Sequence, residues 1–134
     1  YPVLAHLLFE QMEDALDYLF RVIAHFAADK QPLHTQFSVA SDEIGAIEFG
    51  MGDPHGRGET VCRVHVGAIS LIYKPRACRE ALFFNRLLGA LHQLTGAECF
   101  SVYSPKMLSG AKHSWVEALE NLPCANPAEV ELFY

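Results

Sequence analysis

Apolar residues recur at helical spacing from residue 3 to residue 30. Leu4, Leu8, Met12, Ala15, Leu16, Leu19, Ile23 and Phe26 form one stripe, and Glu10, Asp14, Asp17 and Arg21 lie opposite. Asp17 and Arg21 stand four apart, which predicts an ion pair along the helix. Gln31-Pro32 predicts an interruption, with a shorter helical piece running to Phe37, and Ser41-Asp42 mark a loop. The period then changes to two. Ile44 to Phe49 predicts a short strand, and Val61 to Val66 with Ile69 to Lys74 predicts a hairpin around Gly67-Ala68. With that turn, Val66 faces Ile69, Val64 faces Leu71 and Cys62 faces Tyr73, all on one apolar face. Val61, Arg63, His65, Ser70, Ile72 and Lys74 share the other.

Helical spacing returns from Cys78 to Thr95, with Leu82, Phe84, Leu87, Leu88, Leu91 and Leu94 as the apolar side and Gly96 as the stop. Strands are predicted at Cys99 to Tyr103 and at Ser114 to Leu119. Asn126-Pro127-Ala128-Glu129 predicts the start of a last helix, with Asn126 as cap and Pro127 in the first turn. The order of elements is α+β. Residues 1–40 are helical, and residues 41–134 have the organisation of a kinase-like small lobe, with a glycine loop, a hairpin and a following helix.

Composition narrows the class. The chain has 134 residues, 51% of them hydrophobic and 19% charged, enough apolar surface for a core. A net charge of -6 and scattered basic residues argue against nucleic acid as the main partner. Arg63, Lys74, Arg76 and Arg79 form a small local group that suits an anion. The four cysteines, at 62, 78, 99 and 124, lack the close pairs of a zinc site and the density of a disulfide scaffold. Free thiols in a reducing cytosol are the expectation, with no membrane segment and no metal site among these residues. Tyr1-Pro2 enters a helix directly and Phe133-Tyr134 ends within one, so the chain reads as a segment of a longer protein.

The candidate chemistry centres on Gly50-Met51-Gly52-Asp53-Pro54-His55-Gly56-Arg57-Gly58 and the hairpin that it feeds. Glycines such as Gly56 and Gly58 let a loop backbone approach a phosphate, and a lysine at the end of the second hairpin strand supplies a point charge. Lys74 is that lysine, and Val61 and Ile72 beside it offer an aliphatic surface to a flat base. Asp53-Pro54-His55 fits a solvated turn, or an aspartate orienting an imidazole that passes a proton. Glu80 is placed either to pair with Lys74, as the helix glutamate of protein kinases does, or to complement a helix dipole. Arg76 suits an anion contact or a surface charge. Trp115 is either a core residue or the neighbour of a hinge at Glu117 to Glu120. The histidines at 6, 25, 34, 65, 92 and 113 have no metal-ligand spacing and receive no role.

Gly52-Asp53-Pro54-His55, Tyr73-Lys74-Pro75-Arg76, and Trp115-Val116-Glu117 followed by Leu122-Pro123-Cys124 occur in that order. Together with Tyr1-Pro2-Val3-Leu4-Ala5 and Asp29, they resemble the dehydratase domain of class II lanthipeptide (type 2 lantibiotic) synthetases over nearly the whole chain. The resemblance implies a lipid-kinase-like fold that uses ATP and Mg²⁺ to phosphorylate Ser and Thr of a precursor peptide. The same site then eliminates phosphate to leave dehydroalanine or dehydrobutyrine. It implies Lys74 as the nucleotide-phosphate lysine, Asp53 and His55 as part of the elimination apparatus, and a bacterial cytoplasmic setting. Its partners would be the leader-bearing precursor peptide and the remainder of the synthetase. The large lobe, with its catalytic loop and metal ligands, and the zinc cyclase are expected outside these residues, so this segment alone is expected to be inactive. Three departures stand out: Glu59 follows Gly58 where the family has arginine, His113-Ser114 precede Trp115 where the family has Tyr-Gly, and the hairpin is slightly shorter. Arg57 is a candidate to replace the missing arginine. The alternative reading is a non-catalytic kinase-like module that binds peptide or nucleotide. A plain scaffold domain with an ordinary glycine turn is the third.

Overall fold

A computed structural model describes residues 1–120, 123–128 and 131. The order is α1 (Pro2–Phe37), β1 (Ile44–Glu48), β2 (Cys62–Val66), β3 (Ile69–Lys74), α2 (Arg79–Thr95), β4 (Met107–Ser109) and β5 (Ser114–Glu117). The strands form one antiparallel sheet in the order β1-β2-β3-β5-β4. The fold is therefore mixed α+β, with a long N-terminal helix and a five-stranded antiparallel sheet.

The hairpin has the predicted register: Cys62 opposite Tyr73, Val64 opposite Leu71, Val66 opposite Ile69. Gly67 makes the turn possible, because its φ of 60° lies where a side chain is strained. A Cβ there would also stand 3.2 Å from Ser41 Cβ. Cys62, Val64, Val66, Leu71 and Tyr73 are buried on one face of the sheet, joined by Trp115 from β5.

The second half of α1 covers that face through Tyr18, Val22, Phe26, Leu33 and Phe37. This differs from the predicted stripe. Leu4, Leu8, Met12, Leu16 and Ile23 are exposed, because the sheet is met by the face that carries Tyr18 and Phe26, and only by the later turns. Phe26 packs edge-on against Trp115, ring centroids 6.1 Å apart. Among the described residues, nothing buries the apolar side chains of the first turns.

Three other expectations are corrected. Pro32 does not break α1, which is continuous for 36 residues. An interior proline costs roughly 3 kcal/mol, but Leu33 and Phe37 beyond it are buried, each contributing about 1.5–3 kcal/mol. Burial outweighs the lost backbone bond. The strand expected at Cys99 to Tyr103 is instead a 3₁₀ turn at Glu98–Phe100 followed by irregular chain, and the strand expected to reach Leu119 stops at Glu117. The missed edge strand β4 takes the place beside β5: Met107 opposes Val116, and Leu108 opposes Trp115.

Gly96 caps α2 as predicted, its N–H donating to the His92 carbonyl at 2.8 Å. The apolar side of α2 is not buried: Phe84, Leu87 and Leu94 are exposed, and the helix contributes no buried residue. For the last helix, Pro127 and Ala128 are helical. Leu122, Glu129 and Phe133-Tyr134 lie outside the described residues. No helix among the described residues is long and apolar enough to cross a membrane.

Candidate functional site

The glycine-rich loop folds back on itself as a narrow ladder. The Met51 N–H donates to the Val61 carbonyl at 3.0 Å, Thr60 Oγ1 donates to the Gly52 carbonyl at 2.8 Å, and the His55 N–H donates to the Glu59 carbonyl at 2.8 Å. A 3₁₀ turn at Gly56–Gly58 closes the tip. Gly58 has φ 67°, which suits glycine, but Arg57 has φ 59° in the same left-handed region, where a side chain is strained. Gly52 comes close to the returning limb, a Cβ there meeting Val61 Cγ2 at 3.5 Å.

The ladder delivers Asp53 and His55 to the end of β3. A cavity of about 290 Å³ is lined there by Asp53, His55, Glu59, Val61, Lys74, Pro75 and Arg76. Four of the residues picked from sequence thus meet in one place: Asp53, His55, Val61 and Lys74. Gly56, Gly58 and Ile72 do not line it. Ile72 is half-buried between Arg63 and Val116, and the two glycines form the loop tip. Asp53 and His55 share the cavity wall, with no hydrogen bond between them among the described residues. Lys74 has no ion pair with Glu80 or with another described carboxylate. Arg57 lines a different cavity, against Glu10, Glu13, Asp14 and Asp17 of α1, and so does not replace a cation beside Lys74.

The floor of the site is fixed by two serines. Ser114 Oγ, fully buried, donates to the Arg76 carbonyl at 3.0 Å and lies 3.1 Å from Ser109 Oγ. Ser109 Oγ accepts the Cys78 N–H at 3.0 Å, so the segment from Lys74 to the start of α2 is held against β4 and β5.

A second cavity, about 400 Å³, is lined by Arg21, His25, Glu59, Tyr73, Pro75 and Lys112, and shares Glu59 and Pro75 with the first. Behind it lies a polar cluster that was not foreseen from sequence. Asp29 accepts from His113 Nε2 at 2.6 Å and from Trp115 Nε1 at 2.8 Å. The His113 ring stacks on His25, centroids 3.8 Å apart, and His25 Nδ1 lies 2.7 Å from the Tyr73 hydroxyl. Burial, then the positive field of His113, holds the His25 imidazole below its usual pKa. Burial raises the Tyr73 and Tyr18 hydroxyls and pushes the Cys62 thiol up to about 11. The one available sequence signal was Trp115, whose buried N–H requires an acceptor. Trp115 is thus a core residue tied to α1, and Glu117 holds the Tyr103 hydroxyl at 2.6 Å and the Lys106 N–H at 3.0 Å. Among the described residues, no group of three or more His, Cys, Asp and Glu side chains is placed to hold a metal ion.

A helix-backed antiparallel sheet with a loop-and-lysine cavity at one end defines a mixed α+β domain with a built pocket. The family model described as "Domain of unknown function (DUF4135)" matches residues 1–134, and the chain belongs to that family. The comparison with curated proteins gives no match.

Proposed function

We propose that this chain is the small-lobe segment of a lanthipeptide dehydratase, a kinase-like domain that phosphorylates Ser and Thr of a precursor peptide and then eliminates the phosphate. One observation carries the reading: Asp53, His55 and Lys74, the residues that the sequence resemblance singles out, line a single cavity. In protein kinases the phosphate-binding lysine stands on the third strand and the next helix follows it. Lys74 ends β3 and α2 comes next, which supports the same reading.

The residues suit a nucleotide's phosphates, with Lys74 and Arg76 as cations and Val61 as an aliphatic wall. When bound, ATP with Mg²⁺ supplies the phosphoryl group. For elimination, His55 accepts the α-proton of the phosphorylated residue, and the C–H electron pair forms the Cα=Cβ double bond as the Cβ–O bond breaks. Phosphate departs with the Cβ–O electron pair, its charge balanced by Lys74. The metal ligands and catalytic loop would come from the remainder of the synthetase, in a bacterial cytoplasm.

A second reading, a non-catalytic module that binds peptide or nucleotide, is favoured by Glu59. Its carboxylate lines the cavity where an anion would sit, and among the described residues Lys74 has no glutamate partner on α2. Calorimetry of ATP with the full protein tests the nucleotide site common to both. Lys74→Ala is expected to weaken binding by about ten- to hundredfold, the range of a charge-assisted contact. Unchanged affinity overturns both nucleotide readings.

A further inference from the structure

We propose that Arg21 and Glu59 form a latch that aims the His55 loop at the Lys74 cavity, both acting as positioning residues. The activity part rests on the function proposed above; the geometric part does not.

Arg21 was expected to pair with Asp17 along the helix. Instead its guanidinium reaches across to the Glu59 carboxylate, 38 residues on in the chain. The pair is partly sheltered, side chains 37% and 27% exposed, and the guanidinium carbon stands 5.8 Å from the centre of the Tyr18 ring. Tyr18, three residues before Arg21 and so on the same side of α1, donates its hydroxyl to the Thr60 carbonyl. Two neighbouring side chains of α1 therefore grip two consecutive residues of the loop's returning limb.

That grip passes to the outgoing limb through the ladder. The Glu59 carbonyl accepts the His55 N–H at 2.8 Å, and Thr60 Oγ1 donates to the Gly52 carbonyl at 2.8 Å, next to Asp53. His55 and Asp53 have no side-chain hydrogen bond of their own to the sheet or helices among the described residues. Their placement in the cavity that Lys74 lines depends on the returning limb, and that limb on α1. The charge of Glu59, unfavourable beside a phosphate, is matched by Arg21 in the same contact. The latch thus has two effects: it fixes the loop, and it neutralises a carboxylate in the cavity wall.

Charge reversal tests this in the full protein, with Arg21→Glu, Glu59→Arg and the double reversal. Hydrogen exchange over residues 51–61 and mass spectrometry of precursor peptide treated with ATP are the two readouts. Each single reversal is expected to speed exchange of the His55 amide about tenfold or more, and Arg21→Glu also to let phosphorylated peptide accumulate. The double reversal is expected to restore the exchange rate. Glu59→Gln, which keeps shape and removes charge, moves the exchange rate in the same direction by less. Loop exchange unchanged in the single variants, or no recovery in the double, overturns the latch. If the unmodified protein leaves the peptide untouched, the functional reading fails, while the exchange pattern still decides the latch.

Discussion

Asp29 joins α1 to β5 at a single carboxylate that receives both His113 and Trp115. Beside it, His25 lies between the His113 ring and the Tyr73 hydroxyl and is disfavoured as a cation. His25 faces His113, Asp29, Arg21 and Tyr73, and shares a cavity with Glu59 and Lys112. Asp29 favours its protonation, while burial, His113 and Arg21 oppose it. The sign follows from linkage. The folded state binds the His25 proton less readily than the unfolded chain, whose histidine titrates near about 6.5. The contribution is therefore fully present above that value and is lost as the pH falls from it through the lowered value of the folded state. Urea midpoints at pH 7.5 and pH 5.5 are expected to fall on acidification, and to fall less in His25→Gln. An equal fall in both proteins contradicts this account of His25. None of this was legible beforehand, since the partners sit 84 and 86 residues apart in the chain and no local spacing announces them.

At the scale of elements, local pattern was informative where the period was clean. The hairpin register and the Gly96 cap follow from alternation and from backbone freedom, both local properties. Pattern failed where tertiary contacts outweighed propensity. Pro32 reads as a break, yet Leu33 and Phe37 keep the helix going past it. Pro32 is itself exposed, so replacing it restores a backbone donor without disturbing the core. Pro32→Ala is expected to stabilise the protein by about 1–3 kcal/mol in urea denaturation. A loss of stability would mean that the proline bends α1 into its seat on the sheet. The short β4 was missed because Met107–Ser109 is too brief to show a period, and it is defined by pairing with β5.

Across the whole molecule, the site was partly legible. Asp53, His55, Val61 and Lys74 were named from order and residue type, and they share one cavity. The role of Glu59 was not, because its partner Arg21 appeared committed to Asp17 by helical spacing alone. Arg57 was the candidate to replace the family's missing arginine and lies instead against the acidic side of α1, beyond the left-handed turn at the loop tip. The first half of α1 and the side of α2 that carries Phe83, Phe84 and Leu87 expose large apolar side chains. Such surface is more than scattered single residues, and among the described residues nothing covers it. The most direct test of the central claim is mass spectrometry of the precursor peptide incubated with ATP, Mg²⁺ and the full protein. The account predicts dehydrated peptide from the unmodified protein and no phosphorylation with Lys74→Ala. With His55→Ala it predicts phosphorylated peptide, elimination being slowed by about 10²–10⁴-fold. Fully dehydrated product from the His55→Ala protein would contradict it.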